Sequence, residues 1–396
     1  MGSYEDLGVK TYINARGPAT MIGGSLMPRE VREAMMEAAQ RFVNMDDLHR
    51  KAGQRLAEMT GAPAAYVCSG AAGGLTLAAA ACMAGCDRML IEQLPNAVGM
   101  RSEIIVQRAH RIDWEQSFRQ AGATIVEAAS GADGVAAAIT ERTAAIAYFF
   151  ATSGEFPVDS GESASVAGIC ALARAAGVPV IVDAASELPP ASNLTAYLNE
   201  GADLVIFSGG KGLRGPQCTG LILGRPDLIE ACRLNASPWH SIGRGMKVGK
   251  EEVMGLVKAV ELFLARDEEQ DRAEWQRMVG HIVGSVSDLP GVSAEASCDQ
   301  TQSSEGRCCG TGWLHSSDRH RPPFVPLGLI SLGPQCRLNT AALVEALRAG
   351  EPGIIVGGTS DGRIVIHPQV MASGEEEVVA KRLRALLGPT GGVGGR

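Results

Sequence analysis

Aromatic residues are scarce in this sequence, at 4% of its 396 residues. Glycine is abundant instead, with 49 copies. Many tight turns between strands and helices would use them, as in an α/β enzyme. Positive charge is also short. Lys and Arg number 36 against 44 Asp and Glu, a formal charge of −8, so nothing points to a nucleic-acid surface. The start, Met1-Gly2-Ser3-Tyr4-Glu5-Asp6, has no basic region leading into an apolar run, and no export signal is visible. The longest weakly polar run, Ala71 to Cys86, is 16 residues of mostly Gly and Ala. That is too short and too small-sided for a membrane span and reads as a buried helix. No internal repeat appears. A hydrophobic content of 45% with 20% charge implies a globular chain, and its length allows two domains. Cys68, Cys82, Cys86, Cys170, Cys218 and Cys232 are scattered in mostly apolar stretches and read as buried, reduced thiols of a cytoplasmic protein.

What is present is an alternation of strands and helices. Pro28 marks a helix start, with Val31, Met35 and Ala38 following at helical spacing. Strands are expected at Ala64–Cys68, Met89–Glu92, Glu103–Val106, Ala123–Val126 and Ala144–Phe150. A helix from Ser165 to Ala176 follows, then strands ending in Asp183 and Ser208, then one at Thr219–Leu223. This order predicts a mainly parallel sheet covered on both faces. Near residue 240 the pattern changes. Glu251 to Arg266 reads as one helix, with Val253, Leu256, Val257, Val260 and Leu264 on its apolar face, and a smaller α+β domain should follow. Within that region, Cys298 to Arg337 shows no clear periodicity and is expected to be irregular. Its Cys298, Cys308, Cys309, His315 and His320 match no familiar zinc spacing, so no metal site is expected.

The chemistry concentrates at strand ends. Val180-Ile181-Val182 runs into Asp183, and Leu204-Val205-Ile206-Phe207 runs into Ser208-Gly209-Gly210-Lys211-Gly212. A lysine after a strand is most often a loop charge. A carboxylate ending a neighbouring strand changes that reading, because the pair suits pyridoxal phosphate. The lysine amine forms a Schiff base, and the aspartate keeps the pyridine nitrogen protonated so the ring can accept electrons. A third element supports it: Ser69-Gly70-Ala71-Ala72-Gly73 joins a strand to a helix, and its free N–H groups could hold the phosphate, with the Ser208 hydroxyl adding to them. His110, in Gln107-Arg108-Ala109-His110-Arg111, would stack on the ring or move protons, unless it is structural. Arg214 and Gln217 follow the lysine closely enough to reach the mouth of the site. Arg244, Lys247 and Lys250 lie near the domain junction and would either bind an anionic substrate or remain solvated; the sequence leaves both open.

Ser208 to Gln217, Val182-Asp183-Ala184-Ala185, Gln107 to Arg111, Ile242 to Glu251 and Tyr12-Ile13-Asn14-Ala15-Arg16-Gly17 together resemble one group. It is the fold-type-I pyridoxal-phosphate enzymes related to L-seryl-tRNA(Sec) selenium transferase, and in particular the D-glucosaminate-6-phosphate ammonia-lyase branch. The likeness covers roughly residues 7 to 295 and resumes near Leu343. Ser186, where the group often has Ala, reads as a harmless departure. The resemblance implies an aspartate aminotransferase-like fold with a large mainly parallel domain at 51–245. Residues 1–50 would form an N-terminal segment of the small domain and a dimer contact. Residues 246–396 would form the smaller α+β domain, irregular at 298–337. It also implies a homodimer or higher homo-oligomer and pyridoxal 5′-phosphate bound to Lys211. The expected reaction is β-elimination from an amino acid or amino sugar acid, giving ammonia and a 2-keto acid. Transfer on seryl-tRNA, racemisation and aldol cleavage are the alternatives, and a non-catalytic binding protein is a third class. The charge of −8 and the lack of a basic N-terminal domain argue against a tRNA partner.

Overall fold

The computed structural model describes residues 4–150, 163–297, 324–359 and 361–388. The chain enters through strand β1 (Tyr12–Ala15) and then builds the larger of two compact units, Gly23–Arg266. Helices α1 (Arg29–Ala39) and α2 (Met45–Thr60) come first. Strand β2 (Ala64–Ser69), helices α3 (Gly70–Ala84) and α4 (Arg88–Gln93), β3 (Glu103–Gln107), α5 (Gln116–Gln120), β4 (Thr124–Ala128), α6 (Ala132–Ala138) and β5 (Thr143–Phe149) follow. The second half contains α7 (Val166–Ala176), β6 (Val180–Asp183), α8 (Asn193–Asn199), β7 (Leu204–Ser208), β8 (Thr219–Gly224), α9 (Pro226–Leu234) and α10 (Lys250–Leu264).

These strands form one seven-stranded sheet in the order β2-β8-β7-β6-β5-β3-β4. Only β8 runs against its neighbours; the other pairings are parallel. Strand side chains alternate between faces, so the apolar runs supply two cores. Ile105, Ile146, Val182, Val205, Phe207 and Leu221 face one, with α2, α7 and α10. Ile104, Ala147, Ile181, Ile206 and Ile222 face the other, with α3 and α9. Helix α3 is the buried helix expected from the Ala71–Cys86 run: it is apolar on all sides and almost wholly enclosed. Val31 is buried on α1, with Ala34, Met35 and Ala38 half-buried beside it.

Three local expectations fail in this unit. Met89–Glu92 is helical, because Asp87 Oδ1 accepts from the N–H groups of Met89 and Leu90 and caps α4. Near the end of α10 Phe263 is buried in place of Leu264, which is 37% exposed. Of the six scattered cysteines, Cys68, Cys170 and Cys232 are buried and Cys82 is half-buried, but Cys86 and Cys218 are exposed. The larger unit also takes in residues 23–50 and 246–266, outside the 51–245 span read from sequence.

The smaller unit combines the start of the chain with its C-terminal part. It adds α11 (Glu268–Gly284), β9 (Val292–Ser297), β10 (Leu327–Leu332), α12 (Thr340–Ala349), β11 (Gly353–Gly358), β12 (Ile364–Ile366) and α13 (Glu375–Leu387). Its sheet runs β1-β11-β12-β10-β9, with β1 parallel to β11 and the rest antiparallel. The irregularity expected through Arg337 fails at β10. Leu327 to Ile330 are buried, and the strand pairs with both β9 and β12. Pro322, Pro323, Pro326, Gly328, Gly333 and Pro334 had disguised a six-residue strand. Cys298, Cys308, Cys309, His315 and His320 lie outside the described residues. Among the described residues no helix is long and apolar enough to cross a membrane, and no metal-ligand cluster is found.

Candidate active site

Parallel strands end together, so the residues that follow them share one edge of the sheet. Taken across the sheet, that edge carries His110 after β3, Asp183 at the end of β6, Ser208 at the end of β7 and Ser69 at the end of β2. Ser208 pairs with Gly220, and Ser69 pairs with Thr219, so β8 alone separates the two serines.

Lys211 stands in the loop after β7. Its Nζ donates to Ser186 Oγ at 2.8 Å. Burial lowers the pKa of its amine, and the Asp183 and Glu187 carboxylates oppose that shift. Asp183 is pushed the other way. Burial raises its pKa, while the Ala185 N–H, which donates to Oδ1 at 3.0 Å, and the Lys211 cation lower it. A half-buried acid near a half-buried amine fits a cationic ring nitrogen, which would favour the carboxylate form of Asp183.

Close backbone contacts fix the lysine loop. Gly209 N donates to Thr219 O at 2.8 Å, Gly215 N to Gly209 O at 2.8 Å, and Arg214 N to Lys211 O at 3.0 Å. A Cβ on Gly210 would collide with Gln217 Cα, and one on Gly212 with Leu188 O. A distant segment braces the same loop. Ser25 N donates to Gly210 O at 2.9 Å, and Ser25 Oγ donates to Lys211 O at 2.7 Å. Arg214, at φ 55°, donates from Nε to Leu26 O at 3.1 Å, so its guanidinium also ties the loop to this segment. Gln217 is exposed, with its backbone against Gly210.

Helix α3 starts at Gly70, whose φ of +66° suits a glycine, and the Ser69 side chain does not cap it. The first N–H groups of Gly70, Ala71 and Ala72 therefore have no side-chain cap from Ser69 and lie at the positive end of a 15-residue helix. Ser208 is half-buried two strands away.

His110 is 6% exposed and meets Tyr148 edge-on, with ring centroids 4.4 Å apart. The Gln107 carboxamide oxygen accepts from Gly131 N at 3.1 Å and Ala164 N at 3.0 Å. Its NH₂ therefore faces His110 Nδ1, at 3.3 Å. Nδ1 must accept, which leaves the proton of a neutral ring on Nε2.

Arg244 and Lys247 are exposed on the loop between α9 and α10. This loop packs along α3. Met246 Sδ lies near Gly73, and Gly243 packs so closely on Leu77 that an added Cβ would come within 2.7 Å of Leu77 Cδ2. Lys250 is half-buried and pairs with Glu251.

The structure thus joins Lys211 directly to Ser186 and sets Asp183 beside it. It places His110, Ser208 and the start of α3 on the same sheet edge. The sequence reading missed Ser186, Ser25 and the role of Gln107. Gly23-Gly24-Ser25 carried a signal, since paired glycines mark a turn or a close approach.

This is the fold of the fold-type-I pyridoxal-phosphate-dependent enzymes, with a lysine and an aspartate at the C-terminal ends of adjacent parallel strands. A profile of the family described as "SelA: L-seryl-tRNA selenium transferase" matches residues 13–287. The chain belongs to this enzyme family. It is 34% identical to the 5′-C-glycyluridine monooxygenase-decarboxylase of a Streptomyces species, covering 98% of this chain and 93% of the relative. It is 32% identical to the D-glucosaminate-6-phosphate ammonia lyase of Salmonella typhimurium, covering 97% of each. A solved D-glucosaminate-6-phosphate ammonia-lyase structure superposes with a TM-score of 0.78 at 30% identity, covering 98% of each chain. Serine palmitoyltransferase of Sphingomonas wittichii, at 13% identity and a TM-score of 0.57, shares the fold.

Proposed function

We propose that this chain is a pyridoxal 5′-phosphate-dependent lyase that removes a hydroxyl from carbon 3 of a 2-amino acid and releases ammonia and a 2-keto acid. The observation that carries the reading is Lys211 Nζ, bonded to Ser186 after β7, within the electrostatic influence of Asp183 at the end of the adjacent strand β6. Asp183 would face the ring nitrogen. Ser69, Gly70, Ala71 and Ala72 would hold the phosphate together with Ser208, and His110 would lie over the ring. When bound there, the cofactor supplies the electron sink for the pair left as the Cα–H bond breaks. Lys211 Nζ would take that proton. As the C3–O bond breaks, Lys211 Nζ would return the proton to the departing oxygen, which leaves as water. Hydrolysis of the released enamine takes up one water, so the reaction needs no oxidant. Arg244 and Lys247 would attract an anionic group on the substrate, while Arg214 and Gln217 would shape the mouth of the site. A cytoplasmic homodimer completes the proposal.

The names of the relatives support this substrate class. Glucosaminate, glycyluridine and the seryl group each place an amino group one carbon from an oxygen-bearing carbon. A second reading rests on the 34% identity to the monooxygenase-decarboxylase. It would consume oxygen and release the carboxyl group as carbon dioxide.

One experiment tests both. The cofactor-loaded chain is incubated with D-glucosaminate-6-phosphate, serine and a glycyl nucleoside. Ammonia with an equal yield of 2-keto acid, independent of oxygen, is the expected result. Carbon dioxide with matching oxygen uptake would establish the second reading instead. Borohydride should fix cofactor mass on the Lys211 peptide; finding it on another lysine would overturn the assignment.

A further inference from the structure

Ser186 sits in an exposed turn three residues beyond Asp183, yet its hydroxyl reaches the reactive amine. We propose that Ser186 is a positioning residue that holds the free amine of Lys211 in place for proton removal and sets the pH at which that amine becomes a base. The inference rests on the reading of Lys211 as the reacting group.

The geometry gives Ser186 this role. Nζ donates to Oγ at 2.8 Å, a normal length for this bond. Lysine carries only donors while charged and has a lone pair once neutral. A hydroxyl donates and accepts, so Ser186 can partner either form without moving the backbone. Alanine at this position could do neither. Asp183, at the end of β6, already accepts from Ala185 N–H, and Glu187 is buried. These two carboxylates are the charged groups acting on Lys211, and both favour the ammonium form. Burial acts against them. Among the described residues, Ser186 is the side chain shown bonded to Nζ, and it also touches solvent. A proton taken from substrate carbon by Nζ therefore has a hydroxyl and then water beyond it.

The direction of the effect follows. Oγ accepts from the ammonium, so removing it destabilises the charged form and lowers the pKa of Lys211. The test is competitive acetylation of the full chain without added cofactor, with the Lys211 peptide quantified by mass spectrometry across pH. Ser186→Ala should lower the midpoint by about half to one pH unit, the size of a partly exposed bond to a charged group. Ser186→Thr, which keeps a hydroxyl, should restore it. Ser186→Gly removes the same oxygen at a turn and should behave like alanine, which guards against a packing effect of one variant. Equal midpoints in wild type, Ser186→Ala and Ser186→Gly would overturn the proposal. So would a lowered midpoint that Ser186→Thr does not restore. With cofactor added, the pH midpoint of the visible absorbance should shift in the same direction. If borohydride fails to label Lys211, the functional reading falls while the acetylation midpoint still reports on Ser186. If labelling succeeds and the midpoint stays fixed, Ser186 alone loses its role.

Discussion

Two glycine-rich, cationic loops of the larger unit look alike in sequence and differ in structure. One is Gly209 to Gln217, around Lys211; the other is Ser241 to Gly249, around Arg244 and Lys247. In the first, an added Cβ on Gly209, Gly210, Gly212 or Gly215 would meet a neighbour at or inside the limit of real contacts. Those glycines allow backbone to approach backbone, and the result is a lysine held within hydrogen-bond reach of one hydroxyl. In the second, Gly243 is the glycine enclosed by backbone, Gly249 meets only the ends of the Glu251 and Glu252 side chains, and a Cβ on Gly245 would meet open space. Its cations are exposed, and among the described residues neither Arg244 nor Lys247 makes a salt bridge. The first loop suits chemistry, which needs a fixed atom. The second suits recruitment of a charged group that arrives from solution.

The largest expected effect tests whether the rigid side is truly catalytic. Asp183→Asn keeps the shape of the strand end but cannot balance a protonated ring nitrogen. Turnover should fall by about two to three orders of magnitude, the usual cost of losing an electrostatic stabiliser, with cofactor capture retained. Turnover within a few-fold of wild type would reduce Asp183 to a cap for Ala185. The asparagine could still accept that N–H.

A smaller effect tests the packing difference itself. Gly210→Ala forces a Cβ onto Gln217 Cα and should destabilise the chain by about 1–3 kcal/mol, the range for overpacking. Gly245→Ala should change stability by no more than about 0.5 kcal/mol, as at other open surface positions. Thermal unfolding of the two variants side by side measures the contrast. Equal losses would mean that the two loops are equally constrained.

The sequence made this comparison only half visible. Asp183 and Lys211 could be found because each ends an apolar strand, where the side chain chemistry interrupts the pattern. The seven-stranded sheet was legible for the same reason, since its strands are near-continuous apolar runs. Contacts between distant segments leave no such mark. Gly23-Gly24 marks a turn or close approach but does not say that Ser25 and Leu26 brace residues 210–214, and the serine at 186 carries no mark until Nζ is seen against it. Elsewhere, short apolar runs misled: the Asp87 cap decides helix over strand at Met89, and proline-rich flanks conceal β10.

The smallest effect concerns the exposed loop. Arg244 and Lys247 lie on a segment packed along α3, whose first turn is the proposed phosphate cup. If they recruit an anionic substrate, Arg244→Ala and Lys247→Ala should each raise KM by about fivefold or less, since an exposed charge pair contributes at most about 1 kcal/mol. The turnover number should hold, because these residues would bind ground state and transition state alike. The rise should appear with a phosphorylated substrate and vanish with its unphosphorylated counterpart. It should also shrink as salt is added, since charges this exposed are screened over about 8 Å at physiological ionic strength. An equal change in KM for both substrates would assign the cations to folding or to a subunit contact, and the loop would lose its place in the site.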